Sequence, residues 1–93
     1  MLSKVKLALR ITHDMLDSDI TETISQARTE MVRAGVPEAL ANSNNELIEG
    51  AIKTFCLYIY TGDVKKSEQY FESWQYQLDN IRKSNISEES VNV

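Results

Sequence analysis

The run Leu47–Tyr60, LIEGAIKTFCLYIY, constrains the fold more than any other stretch, because it is the longest apolar run in the chain. At about 100° per residue, Leu47, Ile48, Ala51, Ile52, Phe55, Cys56, Tyr58 and Ile59 sweep roughly half the circumference of a helix, wider than the stripe a surface helix needs. Leu57 and Tyr60 fall on the opposite, otherwise polar side. A helix whose last turn is apolar nearly all round has to be covered from more than one direction, by other helices of its own chain or by a neighbouring subunit.

The segments before and after this run supply candidate cover. LSKVKLALRI at the start is helix material two or three turns long, with Ser3 as its candidate N-cap. Leu2, Val5 and Leu9 share one face there, while Leu7 and Ile11 point elsewhere. A polar break, THDMLDSD, leads into a second helix capped at Asp17 or Ser18, with Leu16 placed to staple onto Ile20. Ile20, Ile24, Ala27, Met31 and Ala34 form its apolar stripe, and Glu22, Ser25, Gln26, Thr29, Glu30 and Arg33 its solvated face. Gly35 is the expected left-handed stop, and Pro37 prevents continuation.

Residues 36–45 are rich in turn residues, with one helical turn expected near Pro37–Leu40. Ser43 and Glu46 read as a capping box that starts the central helix, and Gly62 as its stop. Asp63 caps a last helix in which Tyr70, Phe71, Trp74, Leu78 and Ile81 share a face of roughly 100°. A very short turn joins the last two helices, so they should lie antiparallel. The expected fold class is all-α: a small bundle of four helices, with a short N-terminal helix, two long central ones and a C-terminal aromatic one. It forms a single domain over residues 1–83, followed by a flexible tail over 84–93, where the hydrophobic period stops.

Ninety-three residues with 42% hydrophobic and 26% charged side chains fit one globular domain of modest stability, which oligomerisation would strengthen. No run has the length of a transmembrane helix and the opening lacks the apolar core of a secretory signal, so the expected compartment is the cytoplasm, without a membrane partner. The net charge of −4 argues against a free-standing nucleic-acid binder. The charge is unevenly spread, however. Lys4, Lys6 and Arg10 form a one-sided basic patch without an acid in residues 1–13, whereas residues 14–62 hold eight acids against three bases.

No catalytic constellation can be assembled, so neither an enzyme nor a cofactor is expected. The three glycines, Gly35, Gly50 and Gly62, are scattered and make no phosphate loop. His13 stands near Asp14, Asp17 and Asp19, but the spacing is not that of a calcium loop, and no metal ligands are assigned. Cys56 reads as a small buried hydrophobe. Most of the aromatic residues fall on core stripes rather than on a stacking platform. Tyr60 and Tyr76 are off their stripes, and with Leu57 they are the candidate subunit contact.

A chain that opens KLALRIT, passes an acidic turn DMLDSDI, runs a helix ITETISQARTEMVRAG and later shows ELIEGAIKTFCLYIYTGD resembles the small head-tail connector proteins of long-tailed bacteriophages and prophages, also called head-completion or adaptor proteins and associated with DNA packaging. The likeness spans residues 2–81 and rests on hydrophobic spacing, the acids before Ile20, the Gly35 stop and the Tyr58–Asp63 region. YFESW at residues 70–74 departs from the broad aliphatic final helix of that family.

The resemblance implies a helical subunit that assembles into a ring, dodecameric in the particle, beneath the portal protein at the head-tail junction of the virion, after assembly in the bacterial host cytoplasm. Such a ring extends the DNA channel and receives the next connector or tail-completion protein. Ring closure uses heterologous contacts, one face of each subunit meeting a different face of the next. Lys4, Lys6 and Arg10 are then expected to face either the DNA in the channel or the acidic flank of an adjoining subunit. Two other classes stay open: a small helix-turn-helix DNA-binding regulator, and a helical adaptor that binds one host protein through its last helix.

Overall fold

The computed structural model describes the backbone of residues 1–92 and the side chains of residues 1–83. The described residues form helices joined by short connections: α1 (Leu2–Leu9), α2 (Asp17–Arg33), α3 (Glu38–Ala41), α4 (Glu46–Tyr60) and α5 (Val64–Asn92). The all-α class holds. Four of these helices are longer than one turn, and α3 is the single turn in the connection after Pro37. The flexible tail expected over residues 84–93 falls outside the residues whose side chains are described. No helix among the described residues is long and apolar enough to cross a membrane.

The Leu47–Tyr60 run sits at the centre. Ile48, Ala51, Ile52, Phe55 and Cys56, which recur at helical spacing, are all buried. Around them pack Ile20, Ile24, Ala27 and Met31 of α2, Val5 of α1, Ala41 of α3, and Trp74, Leu78 and Ile81 of α5. The most extensive helix contact is between α4 and α5. Phe55 meets Trp74 with ring centroids 4.8 Å apart, and Tyr58 meets Phe71 at 5.1 Å. As residue numbers fall along α4 they rise along α5, so the two run antiparallel across the short turn at 61–63. Helix α2 runs back along α4 as well: Thr23 near its start reaches Tyr60, while Arg28 bonds the Ala41 and Ser43 carbonyls beside the start of α4.

Helix ends follow the chemistry expected, with shifts of one or two positions. Gly35 stops α2 in the left-handed region at φ 106°, with Val36 N donating to Met31 O and Gly35 N to Val32 O. This is a Schellman closure, and it carries Val36 into the core beside Met31. Asp63 caps α5 by accepting from Lys66 N at 3.1 Å.

Other expected caps are corrected. Helix α1 starts at Leu2 after Met1 with no side-chain cap, so Ser3 lies inside it. Asp17 opens α2 behind Leu16 and does not cap it; its charge sits in the first turn, where the helix dipole favours it. The α4 cap is Asn45, whose Oδ1 accepts from Leu47 N at 2.8 Å, while Ser43 Oγ donates to the Leu40 carbonyl and accepts from Asn45 N, ahead of the helix. The stop of α4 is Thr61 in an extended conformation, and Gly62 adopts no positive φ.

Candidate assembly surface

The three basic residues near the start divide into two that are neutralised within the chain and one that is not. Lys4 Nζ donates to both carboxylate oxygens of Glu49, at 2.9 Å and 3.0 Å. Glu49 lies buried on α4, and this hydrogen bond holds its carboxyl below the usual glutamate range, against the opposing pull of burial. Lys6 Nζ lies 2.8 Å from Asp14 Oδ1 and 2.8 Å from Asp17 Oδ1. The hydrogen bond to Asp14, then the close ion contact with Asp17, pushes the Lys6 ammonium above its ordinary value, and Lys6 in turn holds Asp14 low. Lys4 thus ties α1 to α4, and Lys6 ties it to the start of α2.

Arg10 has no ion pair among the described residues, and it is exposed. It closes α1 with φ 59° and ψ 38°, the left-handed conformation that usually calls for glycine. The hydrogen bonds match those of Gly35: Ile11 N donates to Lys6 O at 2.9 Å and Arg10 N to Leu7 O at 3.1 Å.

The candidate contact residues Leu57, Tyr60 and Tyr76 are not brought together. Tyr60 is half-buried against the core, its hydroxyl 3.3 Å from Thr23 Oγ1, because α2 covers the side of α4 that the sequence leaves polar. Leu57 is half-buried without joining the core. Tyr76 is 68% exposed on α5 and lines a shallow groove of about 500 Å³ with Glu72, Ser73 and Gln77.

The uncovered apolar surface lies elsewhere. Leu7 on α1 is 80% exposed and Met15 87%, while Leu47, at one edge of the wide face read from the sequence, and Ile59, in the last turn of α4, are about half exposed. No periodicity argument singles out Met15, which sits in a polar loop. Leu7, by contrast, is legible as the α1 residue pointing away from Val5.

A cleft of about 540 Å³ opens where α4 turns into α5, its lining including Tyr58, Val64 and Phe71 and the acids Asp63, Glu68 and Glu72. Ser67 Oγ donates to the Tyr58 carbonyl at 3.4 Å and holds the two helices together at its mouth. Acids and aromatic rings together in one lining suit a cationic, partly apolar segment. Among the described residues no three His, Cys, Asp or Glu side chains converge on a point that could hold a metal ion. His13 Nδ1 accepts from Met15 N at 3.3 Å, a bond local to its own turn.

No protein-family model, curated protein or solved structure matches this chain. The likeness to head-tail connectors therefore rests on the chain's own residues.

Proposed function

We propose that this chain is a structural subunit of a phage or prophage head-tail connector, whose work is assembly and not catalysis. The observation that carries this reading is the large apolar side chains left uncovered on four different parts of one small domain. Leu7 on α1, Met15 before α2, Leu47 on α4 and Tyr76 on α5 are all more than half exposed. Single exposed hydrophobes are ordinary, but their spread over separate segments of a 93-residue chain suits a subunit that meets more than one neighbour. The resemblance over residues 2–81 points to the same role. On this reading the subunits form a ring, dodecameric under the portal protein, that extends the DNA channel and receives the next connector or tail-completion protein.

Of the two roles open to the basic patch, contact with an adjoining subunit suits the geometry better than contact with DNA. Lys4 and Lys6 are already paired within the chain, which leaves Arg10 as the cation of the patch without an ion pair among the described residues. Electron microscopy of the chain mixed with portal protein, alongside light scattering at high concentration, tests the reading. Rings seated on the portal are expected; monomers alone in both experiments overturn it.

A further inference from the structure

Two surfaces of this chain are complementary, and neither is satisfied within one copy. The first is the α4–α5 cleft, whose lining holds Tyr58, Val64 and Phe71 together with Asp63, Glu68 and Glu72, and no cation. Lys65 and Lys66, although next to it in sequence, do not line it. The second is the outer face of α1. Ser3 and Leu7, at i and i+4, lie on the side of that helix away from buried Val5, and exposed Arg10 closes its C-terminal end. Leu7 is almost wholly in solvent there, beside the cation that has no acidic partner among the described residues.

A chain cannot fill its own cleft with this face. The Lys4–Glu49 pair fixes α1 beside the first half of α4, and Glu49 precedes Tyr60 by about 16 Å along the helix axis. Lys6, held by Asp14 and Asp17, prevents α1 from swinging away from that position. An occupant of this chemistry therefore comes from outside the described residues of the chain, and the matching surface is α1 of a second copy.

We propose that the outer face of α1 from one copy seats in the α4–α5 cleft of the next, with Leu7 against Tyr58 and Phe71 and the Arg10 guanidinium against Glu68 and Glu72. The contact is heterologous: each copy offers α1 to one neighbour and receives another neighbour's α1 in its cleft, so the arrangement can propagate and close. Arg10 is suited to the role, because its planar fork can meet a carboxylate in two bonds while its face lies on an aromatic ring. The proposal rests on the assembly reading above and names the two surfaces that meet.

Disulfide trapping tests it. A Leu7→Cys chain and a Glu72→Cys chain are mixed, at high concentration and again with portal protein present, and oxidised mildly. The native Cys56 is buried and stays silent. Expected is a heterodimer formed several-fold more efficiently than the homodimers of either variant alone, and a ladder of higher species from the doubly substituted chain. Arg10→Glu should weaken association at least tenfold, and pairing it with Glu72→Arg should restore it.

Mixed-variant yields no higher than the homodimer controls overturn the pairing. If the wild-type chain still forms rings, the connector reading survives that result; if it stays monomeric with portal present, both fall. Loss of portal binding in Glu72→Arg, without cross-linking in the mixture, identifies a foreign segment as the cleft's occupant and also overturns the proposal.

Discussion

Lys4 of α1 and Glu49 of α4 form a two-pronged ion pair across 45 residues of sequence, with the carboxylate largely withdrawn from solvent. The pair makes stability depend on pH in a defined direction. Glu49 has a folded-state pKa below its ordinary value of 4.5, so it contributes stability that is fully present above that value and is lost as the pH falls through the folded one. Thermal melts of the wild type should therefore be level from pH 7 down to about 4.5 and then fall. Lys4→Met leaves a carboxylate buried without its partner: its melting temperature should be lower at pH 7 and its acid decline shallower. Parallel curves for the two proteins would show that Lys4 does not hold Glu49.

Lys6 gives the opposite limb. Its pKa is raised above 10.5 by Asp14 and Asp17, so its contribution is present below 10.5 and is lost as the pH rises through the folded value. Lys6→Gln should remove part of the alkaline decline of the wild type. It should also loosen the 10–16 segment, which limited proteolysis reads as faster cleavage near Met15 at neutral pH.

Burial on α4 predicts a graded response to truncation. Ile52 is wholly buried at the meeting of the helices, so Ile52→Ala should cost about 2–5 kcal/mol in urea unfolding. Leu47, 53% exposed on the same helix, should cost no more than about 0.5 kcal/mol when truncated in the monomer. A Leu47→Ala loss near that of Ile52→Ala would mean that the isolated chain already covers this edge of the helix.

Cys56 gives a probe of the same core. Burial alone pushes its thiol up to about 11, so at pH 8 very little thiolate is present and reagents have no path to it. Labelling with a thiol-reactive dye should be negligible in native buffer and reach one equivalent per chain in denaturing urea. Rapid native labelling would mean that α4 separates readily from its neighbours.

What could be read from the sequence was whatever depends on periodicity along one helix. The α2 stripe, the Gly35 stop and the Trp74, Leu78 and Ile81 face repeat at helical spacing, and burial follows them. Contacts between distant segments carry no such signal. Lys4 looks free because nothing local reveals that Glu49 waits 45 residues away, and Lys6 because helical spacing does not show that the turn after α1 brings Asp14 and Asp17 back to it. Tyr60 looks outward because the helical wheel gives its angle but not the position of α2, where Thr23 meets it. Cap residues differ by one or two positions because Ser and Asn side chains in one short stretch can each accept a nearby N–H: Ser43 takes that of Asn45 within the turn, and Asn45 takes that of Leu47 at the helix start.

Arg10 and Gly35 close their helices with the same hydrogen bonds but not at the same cost. A side chain in the left-handed region is disfavoured by about 1–2 kcal/mol, which glycine escapes. At Gly35 an added Cβ meets only Arg82 Nε at 3.5 Å, ordinary contact, so the penalty of Gly35→Ala comes from the backbone. That variant should lose about 1 kcal/mol after allowing for its stiffer unfolded chain. Arg10→Gly should do the reverse and stabilise the isolated monomer by about 0.5–1 kcal/mol, since it removes the strain and breaks no ion pair among the described residues. If Arg10 is kept for its side chain, the same substitution should also weaken association of the subunits. Urea unfolding and light scattering on the one variant read both effects. A more stable monomer that assembles as well as the wild type would leave Arg10 with no role at the seam, and a less stable one would show that its side chain supports the fold.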